Sequence, residues 1–255
     1  MRQVYYQLVA RHVCENTRSQ YQAVSKVLVE ARKDGTVGWE QIEDRLRRPR
    51  EVSMWADPAD FALTAIRAYR RDVWADQERL VEVWLEKDAL SGIFEDVLRT
   101  YGVTLNVGRG YDGWDSIHNA ALRYLAWGPA PVTILYFGDF DPSGEDMVRS
   151  LKERLGFFGT CPEIVKSALT RGDIEQYDLP PDFTKASDTR RAAFVAKWGD
   201  ISVELDALPA RVLRERLGSE LEQRIDMGAL ARVQVLQDEE RERIRSALAE
   251  IGNQA

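Results

Sequence analysis

Cysteine and histidine are scarce in this chain: two of each in 255 residues. Cys14 and Cys161 lie far apart and match no metal spacing. A disulfide framework and a cysteine-based zinc site are therefore not expected, and a reducing cytoplasm is the default compartment. His12 and His118 are too scattered for a histidine-based zinc site. No apolar run approaches the roughly 18 residues of a membrane span. The opening MRQVYYQLVARHV has no apolar stretch followed by a small-residue cleavage site, so no signal peptide is expected. Internal repeats and low-complexity tracts are lacking too. Aromatics are not: seven Trp, nine Tyr and eight Phe, in a chain that is 44% hydrophobic, exclude disorder as the main state. The length suits one large domain or two small ones.

The net charge of −7 argues against a nonspecific nucleic-acid glue. The average hides an asymmetry. Residues 1–56 carry ten Lys and Arg against seven Asp and Glu, a net +3. The remainder carries 25 against 35, a net −10. A basic head on an acidic body fits a division of labour, with contact in one part and metal in the other. Ordinary variation in surface charge explains the same numbers.

The head reads as helical. Val4, Tyr5, Leu8, Val9 and His12 recur at 3–4 spacing over residues 2–13. Asn16, Thr17 or Ser19 can cap a second helix, whose apolar side is Tyr21, Val24, Val27, Leu28 and Ala31 and whose stop is Lys33-Asp34-Gly35. TVGWEQIEDR then reads as a short ribbon. Helix, turn, helix and ribbon predict a small winged helix-turn-helix over 1–56. Arg18, Lys26 and Arg32 lie on polar positions of the second helix and suit a DNA major groove. Arg47, Arg48 and Arg50 suit phosphates. A solvated helix face and a charged loop account for the same residues.

Residues 57–80 read as one connecting helix. Beyond them the pattern changes to α/β. Apolar runs at 81–86, 103–108, 132–138 and 162–170 alternate with helical stretches at 88–101, 114–127 and 143–155. Such βα units predict a mainly parallel, Rossmann-like sheet over 81–255, extended by a C-terminal helix at 229–249.

Ligands of open parallel sheets bind at the strands' carboxyl ends. The first strand ends in Glu86-Lys87-Asp88, the second in Gly108-Arg109-Gly110, and the third in Gly138-Asp139-Phe140-Asp141-Pro142-Ser143-Gly144. Asp139 and Asp141, two apart in an extended segment, point the same way. With Glu86 they can converge on one sheet edge. Packed carboxylates repel unless a cation neutralises them, and hard oxygen ligands select Mg²⁺ or Mn²⁺. Glu at one strand end, with Asp-x-Asp and a following Gly about 50 residues on at another, is the signature of the Toprim domain.

The resemblance extends further. The chain is similar to the family of topoisomerase VI A subunits and the meiotic double-strand-break transesterase, in which a winged helix precedes Toprim. Arg2-Gln3-Val4-Tyr5-Tyr6 matches the family's Arg-x-x-(Tyr/Phe)-Tyr. Glu86-Lys87-Asp88-Ala89, Gly108 to Gly113, Asp139 to Gly144, Leu169 to Pro180 and Glu204-Leu205-Asp206-Ala207-Leu208 match later segments in order. Gln3 stands where the family has Asp, and Asp112 where it has Pro. No ATPase is present in this sequence.

The resemblance implies DNA cleavage by tyrosyl transesterification. Tyr6 is the implied nucleophile, with Arg2 near enough to lower its pKa and Tyr5 in the core. Glu86, Asp139 and Asp141 would hold Mg²⁺ or Mn²⁺, Lys87 would steady the carboxylates, and Arg109 would anchor a phosphate. Double-stranded DNA is the expected partner. A homodimer is expected too, in which Tyr6 meets the partner chain's metal site rather than its own. A separate ATPase subunit fits the family, and a nucleoid-associated or phage-encoded setting fits the small size. Two alternatives remain: a Toprim nuclease using metal-activated water, and a non-catalytic DNA-binding partner of an ATPase.

Overall fold

A computed structural model of the chain describes residues 2–38, 41, 52–108, 113–182, 184 and 188–252. Its four strands are β1 (Leu80–Leu85), β2 (Thr104–Val107), β3 (Val132–Phe137) and β4 (Glu163–Ala168). All pair in parallel, in the order β2-β1-β3-β4. The register sets Leu85 opposite both Val107 and Phe137, so three carboxyl ends are level. The order grows outward in both directions from the β1/β3 pair. That pair is therefore the topological switch point, where parallel sheets leave a crevice for ligands.

The strands form because both faces are covered. Val81, Val83, Trp84 and Leu85 of β1 and Ile134, Leu135, Tyr136 and Phe137 of β3 are all buried. On one face Trp84, Ile134 and Tyr136 join Ile117, Ala120, Ala121 and Tyr124 of α5 (Trp114–Trp127) and Met147, Leu151 and Leu155 of α6 (Pro142–Phe157). On the other, Phe137 meets Phe94 of α4 (Ser91–Tyr101) edge to face at 4.8 Å, and α4 packs against α9 (Ala210–Glu222). Each buried Val, Leu, Ile, Phe or Met among them contributes about 1.5–3 kcal/mol by leaving water.

One charge lies inside this core. Glu82 is 1% exposed. It accepts two hydrogen bonds from Arg123, one from Asn106 Nδ2 and one from Tyr124 Oη. Arg123→Ala leaves that carboxylate uncompensated. A loss of roughly 2–4 kcal/mol is expected in urea denaturation, somewhat below a fully buried pair because Arg123 is partly exposed. Glu82→Gln in the Arg123→Ala background should recover part of it.

The chain divides into two compact units that cut across the segments expected from sequence: residues 1–43 with 79–224, and 44–78 with 225–255. In the first, α1 (Arg2–Ala10) and α2 (Arg18–Lys33) belong with the sheet. Thr17 caps α2, as expected, but α2 buries no residue fully, and Val27 is 67% exposed rather than inward. Residues 36–38 form no strand, and the rest of the expected ribbon lies mostly outside the described residues. In the second unit the connecting helix stops at Ala68, not 80: α3 spans Pro58–Ala68. Beyond it the backbone is claimed by α10 (Met227–Gly252). Gln237 accepts from Arg71 N, and Arg241 donates to the Tyr69 carbonyl. Three helices were not expected: α7 (Arg171–Gln176), α8 (Arg191–Trp198) and α9. Among the described residues, no helix is long and apolar enough to cross a membrane.

Candidate active site

Glu86 follows β1 and Asp139 follows β3, so both stand at the switch point of the first unit. The Asp139 N–H donates to Glu86 Oε2 at 2.9 Å, and Tyr136 Oη donates to the same oxygen at 3.2 Å. Glycine makes this approach feasible. A Cβ on Gly138 would fall 2.6 Å from Glu86 Oε2, and one on Gly144 would fall 2.2 Å from the Asp139 carbonyl. Asp141 caps α6, accepting from Gly144 N at 2.6 Å, with Pro142 in the first turn. The loop is held from outside by a two-way backbone bridge between Phe140 and Val203, and Phe140 packs on Phe194 and Trp198.

Lys87 is the electrostatic centre. Its ammonium lies 2.9 Å from Asp139 Oδ1, 2.5 Å from Glu204 Oε2 and 2.8 Å from Asp206 Oδ2. Burial by itself would lower the Lys87 pKa, but the carboxylates of Asp139, Asp206 and Glu204 outweigh it and hold the pKa above its ordinary value. Asp139 is 9% exposed. Burial pushes its carboxyl up, to about 7, with Lys87 opposing and Glu86 adding to the rise. Leu205 N also donates to Asp139 Oδ1, at 2.7 Å. Lys166 donates to the Asp139 carbonyl at 2.9 Å and pairs with Glu145.

The three predicted metal ligands thus share one edge, but their side chains do not form a finished cage. Among the described residues, no three His, Cys, Asp or Glu side chains are placed to hold a metal ion. The reason is local. Lys87 takes one Asp139 oxygen, Asp141 turns to its helix, and Glu86 turns onto the Asp139 N–H. The donor chemistry still fits a hard cation. Glu86, Asp139 and Asp141 each commit one carboxylate oxygen to the protein, and their other oxygens make no hydrogen bond among the described residues. One ammonium amid Asp139, Glu204, Asp206 and the neighbouring Glu86 leaves a negative excess that a divalent cation would neutralise.

Tyr6 comes to this edge because α1 is bolted there. Gln7 Nε2 donates to the carbonyls of Asp206, Ala207 and Leu208 at 3.2–3.3 Å. Tyr5 is buried, as expected, and its hydroxyl faces acceptors on Glu15, Asn16 and Thr17. Tyr6 is half-buried, with its ring 5.9 Å from the Lys87 ammonium. A cavity of about 150 Å³ is lined by Tyr6, Asn16, Asp139, Asp141, Asp182, Asp188 and Glu204, with Val9 and Val203 among its apolar walls. The expectation set Tyr6 beside a partner chain's acids, whereas here it lines the cavity of Asp139 and Asp141 in its own chain.

Of the predicted DNA-contacting residues, Arg18 and Lys26 are exposed on α2 and Arg32 is half-buried. Arg47, Arg48, Arg50 and Arg109 lie outside the described residues, as does the Arg2 side chain. Gln7, Lys166 and the Lys87 partners Glu204 and Asp206 were not expected to shape the site. Against family models, curated proteins and solved structures, the chain gives no match.

Proposed function

We propose that this chain cleaves DNA in a divalent-cation-dependent reaction, as a compact relative of topoisomerase VI A subunits. The head would be of winged-helix type and the α/β body a Toprim domain. The observation that carries this reading is the placement of Tyr6 in one cavity with Asp139 and Asp141, beside Glu86, at the sheet's switch point. Tyr6 Oη attacks phosphorus and the bond to the 3′ oxygen breaks. The tyrosine proton leaves to a carboxylate or solvent, and the 3′ oxygen takes up a proton. Bound Mg²⁺ or Mn²⁺, held by Glu86, Asp139 and Asp141, would supply charge stabilisation for the phosphoryl oxygens and the leaving oxygen. Lys87 fixes Asp139, and Gln7 fixes α1 over the cavity. Cutting both strands of a duplex needs two nucleophiles, so the working form would be a homodimer. A separate ATPase would be needed for strand passage.

A second reading keeps the cation and replaces Tyr6 by water. The carboxylate-rich lining favours it, because a polar cavity of about 150 Å³ has room and partners for several waters. A denaturing gel separates the readings. With Mg²⁺ or Mn²⁺ and 3′-end-labelled DNA, single-stranded or duplex, transesterification leaves label covalently on the protein, and hydrolysis leaves cut DNA alone. Binding with neither product would reduce the chain to a DNA-binding partner.

Cation binding should depend on pH. A ligand carboxyl must be ionised, and Asp139 holds its proton up to about 7. In calorimetric titration with Mn²⁺, affinity at about pH 8 should exceed that at about pH 6 by several-fold, approaching tenfold. Asp139→Asn should abolish both the binding and its pH dependence. Equal affinity at the two pH values would remove Asp139 from the ligand set.

A further inference from the structure

Beside the acidic cavity lies a second, open cleft of about 430 Å³, within the size range of small-ligand sites. Its walls are Tyr5, Tyr6, Tyr21, Asn16, Thr17, Arg18 and Asp182. Tyr6, Asn16 and Asp182 line both spaces, so the cleft opens directly beside the carboxylates. Three aromatic rings stand in one wall, Tyr5 and Tyr6 of α1 and Tyr21 of α2, and they are in mutual contact. Tyr5 is pinned by its hydroxyl to the 15–17 segment. It touches Tyr6 edge to face at 5.3 Å and Tyr21 at 5.2 Å with the rings near perpendicular. The rings of Tyr6 and Tyr21 thus flank a fixed one, and little side-chain freedom remains to be lost when a planar ligand stacks. Arg18 supplies an exposed cation in an otherwise acidic neighbourhood, and the Asn16 side chain supplies an amide.

We infer that this cleft is a nucleobase subsite that takes an unstacked base next to the phosphate to be cut. The substrate is then a single strand or a duplex opened at the cleavage point. This rests on the DNA-cleaving reading above and narrows its substrate class. Aromatic rings bind bases through their faces, and inside an intact duplex those faces are covered by neighbouring base pairs. Tyr21 would stack on the base, Arg18 would meet a phosphate, and the cleft's continuity with the cavity of Asp139 and Asp141 would register the next phosphate over the acids.

The test uses the full chain with Ca²⁺ in place of Mg²⁺, to hold substrate uncut. Single-stranded oligonucleotides carrying one 2-aminopurine are compared with the same sequence in an intact duplex. Single strand should bind more tightly than duplex, and the 2-aminopurine should be quenched at one register only. Tyr21→Ala should weaken single-strand binding about tenfold, the usual scale for one stacked base, and abolish the quench. Tyr21→Trp should restore both, whereas Tyr21→Leu, which fills the space without a stacking face, should not, and that separates lost stacking from lost packing. Arg18→Ala should lower the slope of log affinity against log salt by about one phosphate contact. If duplex binds as well as single strand, with Tyr21→Ala unaffected, the subsite is wrong while DNA cleavage stands. If neither nucleic acid binds, the function and the subsite fall together.

Discussion

Tyr6→Phe should leave DNA bound and uncut, with no covalent adduct, while the protein unfolds near the parent's midpoint. The substitution removes one hydroxyl from a half-buried ring and keeps its edge contact with Tyr5. Loss of a nucleophile that acts as a unit with its surroundings costs at least about 10⁴-fold in rate, or some 5.5 kcal/mol of transition-state stabilisation. Glu86→Gln and Asp139→Asn should each cost cleavage by about 10³-fold through the lost cation. They differ from Tyr6→Phe in a second readout, because they also abolish Mn²⁺ heat in calorimetry and Tyr6→Phe does not. A Tyr6→Phe protein that cuts at the parent's rate, while Glu86→Gln does not cut, assigns the attack to water. Because Tyr6 lines the cavity of its own chain's Asp139, mixing Tyr6→Phe with Asp139→Asn protomers is informative. Activity recovered in the mixture would show that the nucleophile is exchanged between chains on DNA. No recovery would place the whole reaction in one chain.

The parts of this site that sequence makes legible are those written locally. β1 and β3 are apolar runs long enough to be buried on both faces, and the residues that end them, Glu86 and Asp139, must lie at the sheet's carboxyl edge. The Gly-Asp-Phe-Asp-Pro-Ser-Gly segment announces a close approach at Gly138 and a helix cap at Ser143; the structure has the close approach, but the cap of α6 is Asp141. The long-range parts carry no such signal. Gln7 meets its three carbonyls 199 to 201 residues later in the chain. Lys87 meets Glu204 and Asp206 at separations of 117 and 119 residues. One of two Gln in a nine-residue helix gives no warning that it anchors that helix over a sheet edge. The Glu204-to-Leu208 segment is legible only through a family resemblance, and its chemical part, an acid pair for Lys87, emerges only from the fold. The connecting helix expected over 57–80 overruns α3 for a similar reason. The sequence 69–80 remains helix-compatible, but side chains of α10 claim the backbone of Tyr69 and Arg71. α7 and α8 are six and eight residues, too short for a periodic stripe to stand out, whereas Leu213, Leu217 and Leu221 of α9 do repeat at helical spacing.

The largest loss of stability should come from Lys87→Met, which keeps the stem's bulk and removes the charge. Three carboxylates lose their common cation, and Asp206 is fully buried with one oxygen already lacking a hydrogen-bond partner. Removing one partner of a buried ion pair costs about 3–5 kcal/mol, because the remaining charge stays desolvated. The sign of the pH dependence follows from the two raised pKa values. Lys87, raised above its unfolded value near 10.5, stabilises the fold at all pH below that value and ceases to as pH rises beyond it. Asp139 is raised from 3.8 to about 7, so its protonated form favours the fold at low pH, and that contribution is lost as pH rises through this window. Without Lys87 the lowering influence on Asp139 is gone, its pKa rises further, and the penalty at neutral pH grows. The deficit of Lys87→Met against the parent in urea denaturation should therefore be largest at about pH 8 and shrink towards about pH 5. A divalent cation offers the same carboxylates a replacement charge, so millimolar Mn²⁺ should raise the variant's midpoint more than the parent's, by RT ln(1 + [Mn²⁺]/Kd) for the site it creates or strengthens. A deficit below about 1 kcal/mol, independent of pH, would mean that the three carboxylates are already protonated or solvated in the native protein. Lys87 would then be a surface partner of Glu204 rather than the fixed charge that holds the acids together.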